Sequence, residues 1–253
     1  MIKEKRFAYI RSELAKKGAV EVDELSELLE VSKATIRRDL DEMESTGVLK
    51  RTHGGAAQQD SDTELPYFSK VDLFALEKRA IGMKVAALIE NSNVVACTGG
   101  TTTMNIIKSL KEKEVTILTN AINIAQELAS HPSIQVIVTG GILQPRSHEL
   151  VGHIANRTIS DFHFDVALIG VDGISLERGI STYTIGEAYT ALQYIDHAKH
   201  VWVVADHSKA GKTAPAIIAP INRIHRFITD PGITPEFRKA LQNAGIEVIT
   251  AEM

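Results

Sequence analysis

The 253-residue sequence has one cysteine, Cys97, which excludes an intramolecular disulfide and a multi-cysteine zinc site. No apolar run approaches the ~18 residues a membrane-spanning helix needs. The opening Met1-Ile2-Lys3-Glu4-Lys5-Arg6 lacks the apolar core of a secretion signal. A cytoplasmic protein without a membrane partner is therefore expected. Excess positive charge is missing as well. The 28 Lys and Arg face 32 Asp and Glu, which excludes coating of nucleic acid by charge alone. Nine histidines are present, but none stands in an HExxH or Cys/His ligand spacing, so neither a metal nor another cofactor is expected. What is there is ordinary for a globular chain: 44% hydrophobic and 24% charged residues, enough for one large domain or two modest ones.

Residues 1–58 read as three short helices and a ribbon. Phe7, Ile10 and Leu14 recur at helical spacing up to Gly18. Asp23 is the expected N-cap of a second helix with Leu25, Leu28 and Leu29 on one face, and Glu30-Val31 form a tight turn. Ser32 caps a third helix whose buried stripe is Ile36, Leu40 and Met43 and whose stop is Gly47. Val48 to Gly55 predicts a β-ribbon with a glycine turn.

Helix, turn, helix is the layout that sets the second helix into a DNA major groove. It would present Ser32, Lys33, Thr35, Arg37 and Arg38, with Lys50, Arg51 and His53 on the ribbon reaching a flanking phosphate or the minor groove. Residues 1–58 carry eleven charges of each sign, so the acidic excess belongs wholly to the remainder. Their bases cluster at the third helix's start and on the ribbon. That polarity fits double-stranded DNA; a three-helix protein-interaction module is the alternative these residues leave open.

Residues 59–76 are polar, contain Pro66, and read as a linker. Beyond them, apolar runs at 94–96, 115–118, 134–138, 166–171, 201–205, 227–229 and 247–250 alternate with helical stretches at 102–111, 121–130, 186–199 and 235–244. The pattern predicts an α/β domain over 77–253, a doubly wound, mostly parallel sheet.

Such sheets bind ligands outside the carboxyl ends of their strands. Thr98-Gly99-Gly100-Thr101-Thr102-Thr103 is a glycine turn into a helix N-terminus, suited to a phosphate or simply to a tight connection. It matches neither the Walker nor the GxGxxG pattern. Asn120, Gly141, Asp172, Asp206 and Lys209 follow other strands, and Glu187 opens a helix. Together they suggest a site for a small phosphorylated sugar or polyol. Cys97, at a strand end without basic neighbours, reads as a buried thiol rather than a redox switch.

Val31-Ser32-Lys33-Ala34-Thr35-Ile36-Arg37-Arg38-Asp39-Leu40 and Leu49-Lys50-Arg51-Thr52-His53-Gly54-Gly55-Ala56 resemble the signature of the DeoR family of bacterial transcriptional regulators. Gly100-Thr101-Thr102-Thr103, Gly140-Gly141, Gly152, Gly170-Val171-Asp172-Gly173, Glu187-Ala188 and Asp206-His207-Ser208-Lys209 resemble motifs of its effector domain, similar in fold to ribose-5-phosphate isomerase. The resemblance implies a winged helix-turn-helix with 32–45 as recognition helix and 48–57 as wing. It also implies a repressor of a carbohydrate-metabolism operon whose operator affinity changes when a phosphorylated sugar binds. One position departs from it: Thr98 stands where the family commonly has an aspartate.

The competing reading is an active sugar-phosphate isomerase with a DNA-binding appendage. Asp172 or Glu187 as base, with Lys209 at the enediolate, would be its machinery. Without an acid at 98, a regulator and no enzyme is expected. Because one winged helix offers a small interface, a homodimer or homotetramer on paired half-sites is expected too. Effector binding near 98–103 and 206–209 would then act through the linker on the spacing of the recognition helices.

Overall fold

The computed structural model describes residues 2–45, 48–58, 64–110 and 112–252, and the chain divides into two compact units, Met1–Ala75 and Leu76–Met253. The expected helix stop at Gly47 and the first part of the expected linker lie outside the described residues. The rest of that linker is not irregular, since it carries a helix over Tyr67–Val71.

Unit 1 runs α1 (Lys3–Lys17), β1 (Ala19–Glu21), α2 (Val22–Leu28), α3 (Lys33–Ser45), β2 (Leu49–Arg51), β3 (Gly55–Gln58) and α4 (Tyr67–Val71). The three strands form one antiparallel sheet in the order β1-β3-β2. Gly55 allows it: a Cβ there would lie 1.9 Å from the Val20 carbonyl oxygen. The core gathers Ile10, Leu14, Val22, Leu25, Leu29, Ile36, Leu40 and Met43 around the sheet's Val20, Leu49 and Ala56.

Two expectations fail in α2. Leu28 is 55% exposed, because the buried stripe is Val22, Leu25 and Leu29. Asp23 is not the cap: β1 runs directly into the helix, and the Val22 N–H donates to the Gly54 carbonyl at 2.9 Å. The turn before α3 forms as expected, with Glu30 at φ +52 and the Ser26 hydroxyl donating to the Val31 carbonyl at 2.7 Å.

Unit 2 runs α5 (Ala75–Leu88, beginning at the boundary), β4 (Val94–Cys97), α6 (Thr101–Ser109), β5 (Val115–Thr119), α7 (Ile122–Leu128) and β6 (Ile134–Val138). It continues with the hairpin β7 (Ile142–Gln144) and β8 (Glu149–Val151), then α8 (His153–Ser160), β9 (Phe164–Gly170), β10 (Gly173–Ser175) and β11 (Gly179–Thr182). It ends with α9 (Ile185–Asp196), β12 (Ala198–Val204), β13 (Ala216–Ala219), β14 (Arg226–Thr229), α10 (Pro235–Asn243) and β15 (Glu247–Thr250).

The seven expected apolar runs are the seven strands of one parallel sheet, ordered β15-β14-β12-β9-β4-β5-β6. Both faces are covered, so successive side chains of a strand enter different cores. Val166 and Leu168 pack with residues of α5, α6 and α7, while Ala167 and Ile169 pack with residues of α8, α9 and α10. The helix expected to 199 stops at Asp196, which puts His200 in β12 instead of one helical turn beyond His197.

Strand order reverses at β4. The chain builds outward through β5 and β6, then returns to place β9 on the other side of β4. At such a switch point the connections after neighbouring strands diverge and open a crevice at their carboxyl ends.

Candidate functional site

On unit 1, α3 begins behind an ordered cap. Ser32 Oγ accepts from the Thr35 N–H at 3.2 Å and lies 2.9 Å from Thr35 Oγ1. Lys33 pairs with Asp23 at 2.8 Å in an exposed bridge, the kind that costs little to break. Arg37 and Arg38 are exposed and take no partner among the described residues, and so are Lys50 on β2 and His53 in the wing turn. Arg51 differs. Its backbone N–H donates to Glu44, its Nε to Asp41 and its Nη1 to the Gly55 carbonyl, so it fastens the wing to α3 instead of presenting a free cation.

The face of α3 that packs inward contains a charge that hydrophobic periodicity passes over. Asp39 is buried one turn after Ile36 and meets Arg6 of α1 in a two-pronged pair, at 2.6 Å to Nε and 3.0 Å to Nη2. This pair ties α3 to α1.

On unit 2, the carboxyl ends of the parallel strands hold most of the expected ligand residues, with several already engaged. Thr98 Oγ1 accepts from the Gly170 N–H at 2.9 Å, tying β4 to β9. Asn120 is fully buried; its Nδ2 donates to Glu149 Oε2 at 2.9 Å and to the Leu150 carbonyl at 3.1 Å. Asp206 caps its own turn, accepting from the N–H and hydroxyl of Ser208. Gly141, at φ +123, sits against the Val151 carbonyl, where a Cβ would come within 2.7 Å. Thr98, Asn120, Asp206 and Gly141 therefore shape the site through internal bonds or close packing.

The glycine turn leaves backbone donors available. Gly100, at φ +112, swings the chain from β4 into α6, and the first main-chain bond of that helix is Met104 N–H to the Gly100 carbonyl. The N–H groups of residues 101–103 precede the helical ladder. Thr103 donates to the Gly99 carbonyl at 3.1 Å, whereas the hydroxyls of Thr101 and Thr102 have no partner among the described residues.

Beyond β9, a second polar group is built by a small antiparallel sheet, β10-β11-β13. Its register pairs Gly173 with Ser181, which makes Asp172 and Thr182 cross-strand neighbours. Thr182 Oγ1 lies 3.3 Å from Asp172 Oδ2 and 3.1 Å from Glu187 Oε2, and Lys209 Nζ lies 3.3 Å from Asp172 Oδ1. Thr184 caps α9 and brings Glu187 back over Thr182. Glu187 is 4% exposed, and its Oε1 is buried without a hydrogen-bond partner among the described residues. Gly170 links the two halves, since a Cβ there would lie 2.9 Å from the Gly99 carbonyl and 3.2 Å from Thr103 Oγ1.

Sequence reasoning missed three participants. Thr182 is recruited by strand register. Asp230, buried, accepts from the His207 N–H and contacts His207 Nδ1, each at 2.7 Å, and so fixes the loop that carries Lys209. Glu149 arrives on the β7–β8 hairpin; the glycines at 140–141 and 152 that bracket it were the available signal.

Burial pushes the Cys97 thiol from the ordinary 9.0 up to about 12; a bond from Thr119 opposes this and the Glu149 carboxylate adds to it. Burial also raises the Tyr194 hydroxyl well above its usual range. Native protein is expected to resist a thiol-specific reagent at pH 8 and to react fully once denatured; rapid labelling of the folded chain would contradict this. Because the folded state holds the thiol proton more tightly, this residue's contribution to stability falls as pH climbs from about 9 towards 12. At the amino ends of β4, β5 and β6, a cavity of about 470 Å³ is lined by Ser92, Glu114, Thr116 and Ser133. It brings no cation to hold a phosphate.

A winged helix with free arginines on its third helix, in one chain with an α/β unit whose switch point is polar and partly unsatisfied, defines a DNA reader carrying its own sensor. Residues 6–62 match the DeoR-like helix-turn-helix domain and residues 74–231 the DeoR C terminal sensor domain. The chain belongs to the DeoR family of transcriptional regulators.

It is similar to the HTH-type transcriptional regulator GlpR of Haloferax volcanii, 35% identical over 231 residues and 90% of each chain. It is similar to the HTH-type transcriptional repressor GlcR of Bacillus subtilis, 32% identical over 253 residues, 100% of this chain and 98% of the relative. The glycerol-3-phosphate regulon repressor of Escherichia coli K12 is 32% identical over 214 residues, 84% of this chain and 85% of its own. These relatives place the protein among DNA-binding transcriptional regulators, not enzymes. Ribose 5-phosphate isomerase A of Methanocaldococcus jannaschii overlaps 54% of this chain and 55% of its own at 14% identity and a TM-score of 0.41, too slight a likeness to carry an inference. Among the described residues, no helix is long and apolar enough to cross a membrane.

Proposed function

We propose that the protein represses a carbohydrate-metabolism operon and that a phosphorylated sugar or polyol, bound at the β4–β9 switch point, controls its grip on operator DNA. Arg37 and Arg38 read or clamp the duplex, with Lys33, Lys50 and His53 beside them. Ser32 and Thr35 order the start of the helix that presents these side chains.

The observation that carries the sensor reading is Glu187. A buried carboxylate oxygen without a partner is costly to an empty protein and is satisfied by a hydroxyl donor from a ligand. The α6 N-terminus supplies donors for the phosphate, Lys209 and Asp172 supply polar contacts, and Glu187 takes a sugar hydroxyl. Control requires the effector to bind the DNA-incompetent arrangement more tightly than the DNA-bound one. A homodimer or homotetramer on paired half-sites fits this reading, since two weakly held heads gain affinity when linked.

The same group sets up a trade-off. Glu187→Gln removes a buried charge, so the effector-free protein is expected to melt no lower than wild type. Its affinity for the effector should fall by roughly 10-fold or more, the worth of a hydrogen bond to a charged group. A thermal-shift panel of ribose 5-phosphate, glucose 6-phosphate, fructose 6-phosphate, glycerol 3-phosphate and inorganic phosphate reads both effects. Sugar-phosphate stabilisation that is equal in wild type and variant would count against the reading.

A further inference from the structure

The geometry points to Glu149 as the residue that determines which hydroxylated effector the switch point accepts. Glu149 belongs to neither the glycine turn nor the Asp172–Thr182–Glu187 group; the hairpin carries it in from between β6 and α8. The inference rests on the reading of the switch point as a sugar-phosphate site and deepens it.

Three observations place this carboxylate. A Cβ on Gly99 would lie 2.7 Å from Glu149 Cγ and 2.7 Å from its Oε1, so the side chain lies directly across the glycine turn. Its Oε2 is aimed by Asn120, a fully buried amide that also bonds the Leu150 carbonyl. The hairpin itself is clamped to the end of β5: Leu150 N–H donates to the Asn120 carbonyl at 2.7 Å, and Ile122 N–H to the His148 carbonyl at 3.1 Å. The charge is thus held at one position over the end of β4, beside the donors that would take a phosphate.

A carboxylate in that place accepts hydrogen bonds and repels anions. It selects a ligand that turns a hydroxyl towards Gly99 and rejects one lacking that donor, because a polar group desolvated without a partner costs more than the bond is worth. Glu187, buried with an unpartnered oxygen, marks the same strand ends as a place where a ligand completes the hydrogen bonding. With acceptors on two separate elements, the site reads two parts of one sugar. Thr98, where a carboxylate is absent, is thereby supplemented from the hairpin.

Glu149→Gln is the direct test: it keeps the shape, keeps an oxygen for Asn120 and replaces the acceptor over Gly99 by a donor. The sugar phosphate of the panel above that best stabilises wild type is titrated by calorimetry beside its monodeoxy analogues. Examples are 2-deoxyribose 5-phosphate against ribose 5-phosphate, and 2-deoxyglucose 6-phosphate against glucose 6-phosphate. Wild type is expected to disfavour the deoxy compound at one carbon by about 10-fold or more, and the variant to lose that preference to within about threefold. Loss of the neighbouring negative charge should strengthen binding of inorganic phosphate and of both sugar phosphates by a similar factor, which leaves the ratio between hydroxy and deoxy compounds as the readout.

Unchanged discrimination at every carbon in the Gln variant would overturn the assignment. A gain in inorganic phosphate binding with that discrimination unchanged would mean that Glu149 merely excludes anions. If the Gln variant does not fold, Glu149→Asp withdraws the carboxylate by one methylene and must show the same loss of preference. A wild-type protein that no sugar phosphate stabilises would instead refute the site reading on which this inference depends.

Discussion

Asp39→Ala is expected to destabilise the DNA-binding unit by about 3–5 kcal/mol, because it takes the two-pronged carboxylate away from the largely desolvated Arg6 guanidinium. The pair is two-pronged and nearly dry, with side-chain exposures of 11% and 6%. A small unit has only ~5–15 kcal/mol of stability to lose, so much of its population would open. The loss should be local. Hydrogen exchange of peptides from Lys33–Ser45 should accelerate sharply, those from the parallel sheet should not change, and sugar-phosphate binding should persist. Arg6→Met with Asp39→Leu should recover much of the stability, since an apolar pair of similar volume carries no charge to desolvate. If the single alanine leaves α3 protected, the pair does not hold that helix in place.

Arg37→Ala combined with Arg38→Ala is expected to weaken operator binding by about 2–6 kcal/mol, taking about 1–3 kcal/mol for each arginine that meets a base or phosphate. Both are exposed and unengaged among the described residues, so their removal should not move the melting temperature. Whichever contacts phosphate should also flatten the salt dependence by about one unit of slope. Arg51→Ala makes the contrast: the two side-chain bonds it removes, to Asp41 and to the Gly55 carbonyl, predict lower stability of the wing before any effect on DNA. Unchanged operator affinity in the double variant would remove α3 from the interface.

The parts of the fold that were legible are those that local pattern decides. Each of the seven apolar runs lies between turn signals and helical stretches, as a buried parallel strand does, and each is one. What stayed hidden depends on long-range partners. The strands of β10-β11-β13 are three or four residues long and gain their identity only by pairing with one another. α5 gives a weak amphipathic signal, because its buried face of Ala80, Ile81, Val85 and Ala86 also holds Lys78 and Gly82, while Leu76 and Met83 stand exposed. Leu28 and Asp23 misled because β1, invisible in the sequence, sets where α2 starts.

The site divides in the same way. That Gly100, Thr101, Asp172, Glu187 and Lys209 sit at strand ends or helix starts follows from counting along the chain. That Thr98, Asn120 and Asp206 spend their polar atoms on internal bonds does not, since their partners come from other strands or from the turn's own geometry. Glu149 was hidden for the same reason. Its importance arises only when a hairpin between β6 and α8 folds back onto Gly99.

The most direct test of a reader controlled by its own sensor is one fluorescence-anisotropy titration. Protein is added to labelled DNA flanking its own gene, at fixed salt, with and without a saturating concentration of the sugar phosphate that best stabilises it. Coupling of about 1–3 kcal/mol predicts that the operator Kd changes by roughly 5- to 150-fold. Glu187→Gln should retain the effector-free Kd and need about tenfold more sugar phosphate, or beyond, for the same change. An operator Kd that is the same with and without the saturating ligand would contradict the account.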